Sequence, residues 1–333
     1  MTKKIYIYCT SLCLLIACVN NNEIPTTNQY QLQLPTHFPS PSIPTNNPLT
    51  KEAIALGKKL FFDPILSRDS SIACNSCHHP ALAFSDSVAI SPGVDGRLGL
   101  RNAPTLMNAA WLQLINKDGG ITKLDLQAMT PIEDHEEMDI SVLKVAEKLN
   151  AQADYVALSN SAYQRPLDPF VITRSLAAYL RTLVTVNSPY DHYLEGNTKA
   201  LSEAAIRGKE IFFGQAKCSQ CHSGFNFTNN AFENNGLYSE YKDNGRQRVT
   251  LLPADEGKFR VPTLRNIKLT APYMHDGSLK TLKEVITHYN TGGKAHANKS
   301  ALIQQINLST SEIEDLESFL WSLTDVSIKT SSI

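Results

Sequence analysis

The pattern cysteine, two residues, cysteine, histidine occurs twice in this chain, at Cys74-Asn75-Ser76-Cys77-His78 and at Cys218-Ser219-Gln220-Cys221-His222. No other feature constrains the fold as strongly. Two thiols about one helical turn apart can both add to porphyrin vinyl groups, and the next histidine then offers its imidazole to the iron. A covalently attached c-type haem is predicted at each site. A zinc ribbon would bring its cysteine pairs within about 15–20 residues of each other, and these pairs are far further apart. A thioredoxin-like pair needs no following histidine, and no βαβ setting surrounds either one. Of the seven cysteines, the other three (Cys9, Cys13 and Cys18) lie before residue 20, so a disulfide scaffold is not indicated.

The surroundings repeat too. Gly57-Lys58-Lys59-Leu60-Phe61-Phe62 precedes the first motif and Gly208-Lys209-Glu210-Ile211-Phe212-Phe213 the second. Helices are predicted over Thr50–Phe62 and Ser202–Phe213, with Thr50 and Ser202 as N-caps. Each copy closes with an amphipathic helix. Ile172, Leu176, Tyr179, Leu180 and Leu183 form one apolar face, and Ile313, Leu316, Phe319, Leu320 and Leu323 form the other. The intervening stretches are rich in Gly, Pro and Asn and read as loops. The predicted fold is mostly α: two cytochrome c-like haem domains in tandem with long irregular loops, over residues 49–196 and 197–333. Forty-two per cent apolar residues excludes wholesale disorder, and a net charge of -1 with no basic stripe gives no reason to expect nucleic-acid binding.

Lys3 and Lys4 precede an apolar run from Ile5 to Ala17, the layout of an export signal. Leu15-Ile16-Ala17-Cys18 resembles a bacterial lipoprotein processing box. Residues 1–18 are thus expected to be a lipoprotein signal peptide, with Cys18 lipidated as a membrane anchor. An ordinary secretory signal cut nearby is the alternative. Residues 19–48 carry prolines at 25, 35, 39, 41, 44 and 48 among Asn, Thr, Ser and Gln, and read as a flexible linker.

Four further segments give a specific resemblance: Leu60-Phe61-Phe62-Asp63-Pro64, Arg101-Asn102-Ala103-Pro104-Thr105, Arg260-Val261-Pro262-Thr263-Leu264-Arg265-Asn266, and Ala271-Pro272-Tyr273-Met274-His275-Asp276-Gly277. With the haem motifs, they resemble the bacterial di-haem cytochrome c peroxidase family, including its MauG branch, over about residues 49 to 325. The resemblance implies a peroxidatic haem held by Cys74, Cys77 and His78, and an electron-transfer haem held by Cys218, Cys221 and His222. Many relatives close the first iron with a histidine whose equivalent here is Val94, which cannot ligate. The first iron is therefore expected to be open, as in the MauG branch. His79 is a poor substitute beside the proximal ligand, and His135 is a remaining candidate.

Gln127, Pro131 and Glu137 match the family's distal residues in register, which implies catalytic roles. A carboxylate at Glu137 can accept a peroxide proton and return it to the departing oxygen; Glu136 is the fallback. At the second haem the family's methionine position falls on Tyr289, as in MauG-type proteins, with His288 as rival ligand. A phenolate favours ferric iron, whereas a thioether favours ferrous. Lys117 stands where relatives place a tryptophan between the haems, with Trp111 a candidate substitute. Asn102, Thr270 and Pro272 match the family's calcium ligands, and oxygen donors suit that cation.

The function implied is reduction of hydrogen peroxide to water with electrons from a small donor protein, a cytochrome c or cupredoxin, at the periplasmic side of a membrane. A MauG-like, peroxide-dependent oxidase of a protein or small molecule is the alternative. A pure electron carrier fits poorly, because carriers keep both axial positions filled. Relatives are often dimers, so a homodimer is an expectation of the resemblance.

Overall fold

The structure, a computed structural model, describes residues 28–328. The signal peptide and Cys18 lie outside the described residues. Among those described, the helices are α1 (Lys51–Phe61), α2 (Leu124–Gln127), α3 (Met129–Glu133), α4 (Val142–Asn150), α5 (Ala153–Tyr163), α6 (Pro169–Arg181), α7 (Pro189–Leu194), α8 (Glu203–Phe213), α9 (Gln247–Thr250), α10 (Leu282–Asn290) and α11 (Thr310–Trp321). One antiparallel ladder pairs β1 (Phe232–Glu233) with β2 (Phe259–Arg260). The remainder is turns, short 3-10 helices and loops. This is the mostly helical tandem arrangement expected.

Each half is built on a crossed helix pair, α1 on α6 and α8 on α11. Both predicted caps are present. Thr50 Oγ1 accepts the Ala53 N–H at 3.2 Å, and Ser202 Oγ accepts the Ala205 N–H at 3.1 Å. Phe61 meets Tyr179 edge-on at 5.3 Å in the first pair, and Phe212 meets Phe319 at 5.2 Å in the second. The helices cross so closely that each needs a glycine. A Cβ at Gly57 would stand 1.8 Å from the Ser175 carbonyl oxygen, and one at Gly208 would stand 1.9 Å from that of Asp315. Gly57→Ala and Gly208→Ala should each cost about 1–3 kcal/mol by forcing the pair apart. The check is the denaturant midpoint of the holoprotein followed by circular dichroism; an unmoved midpoint would contradict this packing.

The first core ends at Leu183 and the second begins at Tyr190, so packing changes hands over residues 184–189. Asp325 holds this crossover, accepting the N–H groups of Val186 and Asn187 at 3.0 and 3.1 Å. Other ties join the halves. Arg101 donates to Asp243 at 2.5 and 2.9 Å, and to Asp118 of its own half at 2.6 Å. The Asn102 N–H donates to the His275 carbonyl at 2.8 Å.

The linker expectation needs correction for residues 28–48, which pack on both halves. Phe38 is 6% exposed and sits edge-on to Trp111 and Phe225, with the Arg265 guanidinium 4.7 Å from its ring. His37 Nε2 lies 3.2 Å from Asp191, which also receives two 2.8 Å bonds from Arg265. Burial pushes Asp191 up, but Arg265 overrides it and holds the carboxyl at about 2. Asn47 is fully buried and donates to Asp125 and to the Arg174 carbonyl. A polar, proline-rich composition concealed these few anchoring side chains.

Candidate active site

Both cysteine pairs sit on one turn of 3-10 helix, Cys74–Ser76 and Cys218–Gln220. The N–H of His78 reaches back to the Cys74 carbonyl at 3.0 Å, and that of His222 to the Cys218 carbonyl at 2.9 Å. Each turn thus gathers two thiols and an imidazole, and all four thiols are free. His78 Nδ1 lies 3.0 Å from the Phe84 carbonyl; His222 Nδ1 lies 3.1 Å from those of Phe227 and Pro262. A ring whose Nδ1–H donates to backbone keeps Nε2 free for a metal. Burial lowers the pKa of both histidines, which favours the neutral, ligating form. These groups fit haem attachment. The backbone acceptors were not legible beforehand, since a carbonyl carries no residue-type signature.

In the first half, α2 ends at Gln127 and α3 carries Pro131. A tight turn follows. The Glu137 N–H donates to the Asp134 carbonyl at 3.1 Å, and the Met138 N–H to the Pro131 carbonyl at 3.1 Å. Glu137 is exposed by surface area, yet protein surrounds it closely enough for burial to raise its carboxyl to about 7, with Asp134 and Glu136 adding to the rise. Both facts suit a side chain on the wall of a deep open crevice. Its charge also bears on the Cys74 and Cys77 thiols, which places it within electrostatic range of the first cysteine pair.

The loop over residues 91–99 presses against this turn. Val94 is fully buried and its N–H donates to the Glu137 carbonyl at 2.8 Å. A Cβ at Gly93 would lie 2.0 Å from the Glu136 carbonyl oxygen, so only glycine permits the approach. Ion pairs from Arg68 and Arg97 to Asp139 (2.7 Å each), and from Arg68 to Asp95, clasp loop and turn together from outside. This loop therefore supports the Glu137 segment. His135 is no distal ligand. Its side chain is 73% exposed and lies against Arg97 and Asp139. His79 also points away, 3.6 Å from Asp86.

In the second half, Tyr289 lies on α10, within electrostatic range of Cys218 and Cys221. Burial raises its phenol, and the Cys218 and Cys221 charges add to that rise. Asn235 Nδ2 donates to its hydroxyl at 3.4 Å. His288, the rival, is turned aside and engaged, with Nε2 3.0 Å from the Asn235 carbonyl. Trp111 does reach the second half, packing on Phe225 at 5.4 Å, but its indole N–H is spent on the Pro39 carbonyl at 2.8 Å. Asn102 is buried, and its amide donates to the Val88 carbonyl at 3.1 Å. It lies beside the strand of chain that carries Thr270 and Pro272, through its N–H bond to His275 at 2.8 Å.

Fold and site together define a tandem c-type haem protein. Residues 51–199 match the family described as di-haem cytochrome c peroxidase, and residues 205–324 match cytochrome c. The methylamine utilization protein MauG of Methylorubrum extorquens is 38% identical over 285 residues, covering 84% of this chain and 80% of that protein. The cytochrome c551 peroxidase of Pseudomonas aeruginosa is 34% identical over 287 residues, covering 83% of this chain and 80% of that one. The crystal structure of a MauG-like protein associated with microbial copper homeostasis superposes with a TM-score of 0.86 at 34% identity, covering 91% of this chain and 97% of that chain. The chain belongs to the di-haem cytochrome c peroxidase family, whose members carry two haem c groups.

Proposed function

We propose that this chain reduces hydrogen peroxide to water at the haem held by Cys74, Cys77 and His78, with electrons arriving through the haem held by Cys218, Cys221 and His222. When bound, the first haem supplies an iron that binds peroxide and delivers electrons to its O–O bond. The protein's part is proton handling and access. Glu137, whose carboxyl lies near 7 in its crevice, accepts a proton from peroxide and returns it to the departing oxygen, so that two electrons and two protons convert one peroxide to two waters. Gln127 and Pro131, on α2 and α3 ahead of this turn, would orient the oxidant. The carrying observation is the buried Val94 at the loop position that would otherwise close the iron, backbone-bonded to Glu137.

The ferric spectrum of the isolated holoprotein tests this reading. A high-spin, five-coordinate component that changes on adding peroxide is expected without prior reduction. Two fully low-spin haems, inert to peroxide, would overturn it.

A MauG-like oxidase of a protein or small molecule is the second reading, favoured by Tyr289 at the position where the family resemblance implies the second iron's ligand, within electrostatic range of the second cysteine pair. Lys117 in place of an aromatic between the haems counts against it. Steady-state peroxide turnover with reduced cytochrome c separates the two. Calcium at Asn102, Thr270 and Pro272 would brace the contact between the halves. We assign the chain to the periplasm, tethered through lipid on Cys18, from the signal pattern in its first residues. No helix among the described residues is long and apolar enough to cross a membrane. A small cytochrome or cupredoxin is the donor of matching chemistry, and a homodimer is the assembly that the family suggests.

A further inference from the structure

Two cations between the halves have no role in the scheme above. The loop closed by the Ile115–Ile121 bridge brings Lys117 against β2, where the Arg260 N–H donates to the Lys117 carbonyl at 2.7 Å. Arg260 Nε donates to the Asn116 carbonyl at 3.4 Å. Lys117 Nζ donates to one group, the Met274 carbonyl, at 3.3 Å. Among the described residues neither side chain makes an ion pair. The nearby carboxylates are engaged elsewhere: Asp243 holds Arg101 at 2.5 Å, and Asp276 accepts the Tyr238 hydroxyl at 2.7 Å.

Both side chains are partly open by surface area, yet burial lowers Lys117 to about 7 and Arg260 to about 10. A side chain that solvent can touch while protein encloses it lines an internal crevice. An unpaired charge in such a place is costly unless an anion joins it. The position says which crevice. Met274, whose carbonyl receives Lys117, places its Sδ 3.3 Å from Asn235 Nδ2, and the same amide reaches the Tyr289 hydroxyl at 3.4 Å. That chain of contacts leads to the distal side of the second haem site.

We propose that Lys117 and Arg260 form a cationic seat for the propionate carboxylates of the second haem, with Lys117 carrying one of the charges across from the first half. The proposal rests on the two-haem reading above. A carboxylate pair suits the site: it is planar, it can accept both an ammonium and a guanidinium, and it neutralises both. The seat joins the halves through the cofactor itself. It also places positive charge where it favours the reduced iron.

Spectroelectrochemical titration of the holoprotein tests this, with two haems per chain verified by pyridine haemochrome absorbance. Lys117→Met and Arg260→Gln should each lower the second haem's equilibrium constant for reduction about tenfold, the effect of one charge at roughly 10 Å in an effective dielectric of about 20. For a one-electron couple this is a shift of 59 mV to lower potential. Lys117→Arg keeps the charge, so the potential should hold, while its altered hydrogen bond should move the propionate bending band in the resonance Raman spectrum. An unmoved potential in both charge-removing variants would overturn the proposal, as would a shift confined to the first haem. Should Lys117→Met fail to retain both haems, an unmoved propionate band in Lys117→Arg would overturn it equally. None of these readouts uses peroxide, so failure of the peroxidase reading and failure of the seat are separable.

Discussion

Glu137→Gln is expected to lower peroxide turnover by roughly 10²-fold or more, the usual worth of a positioned acid–base group. The amide keeps the shape of the side chain and removes its basicity. The pH profile sharpens the test. Burial, with Asp134 and Glu136 beside it, raises the carboxyl to about 7. The ionised form is the one that accepts a proton, so turnover should climb as pH rises through about 7 and then level off. The rising limb should vanish in Glu137→Gln. Stability should respond in the opposite sense. A raised folded-state pKa stabilises the fold fully below the unfolded value near 4, and that contribution is lost as pH rises through about 7. The variant should therefore be no less stable than the wild type at pH 8, which separates lost chemistry from lost fold. Unchanged turnover in stopped-flow and steady-state assays would remove Glu137 from the mechanism and turn attention to Glu136.

Removing one attachment pair at a time should divide the activity cleanly. Cys74→Ala with Cys77→Ala should reduce haem content from two per chain to one and abolish the spectral response to peroxide. Cys218→Ala with Cys221→Ala should also leave one haem, but the ferric high-spin signal and its response to peroxide should persist while turnover with reduced cytochrome c collapses. The expectation follows from the proposed roles of the two haems and from the different groups beside each cysteine pair. Glu137 bears on the first cysteine pair and Tyr289 on the second. Absorbance after pyridine treatment gives haem content, and circular dichroism checks that the helices survive. A peroxide response surviving loss of the first pair would reverse the assignment of the two haems.

Much of the fold could be read beforehand because the information is local. A threonine or serine before an apolar helix predicts a cap, and Thr50 and Ser202 do cap α1 and α8. Apolar residues at helical spacing predict a buried face, as α6 and α11 bear out. The short range of these effects is what makes them readable. The misreading of residues 28–48 has the opposite cause. Average composition describes a segment's tendency to order alone, whereas Phe38, His37 and Asn47 are ordered by partners far along the chain. His135 was a reasonable ligand candidate by its place in the distal segment. Arg97 and Asp139 draw it outward, and no spacing rule anticipates an ion-pair clasp.

The order of residues alone pointed to two attached porphyrins and to a repeated helix-and-motif unit, and the family resemblance carried by its motifs implied valine and tyrosine at the two positions where ligands vary. Such facts reside in residue identity and short spacing, so no coordinates are needed to read them. Only the tertiary structure decided that the loop bearing Val94 supports Glu137, that His288 is engaged by the Asn235 carbonyl, and that Lys117 and Arg260 meet without a carboxylate. Each of those depends on which surfaces come together when distant segments pack. Burial and charge balance, which set what a side chain can do, exist only once they have.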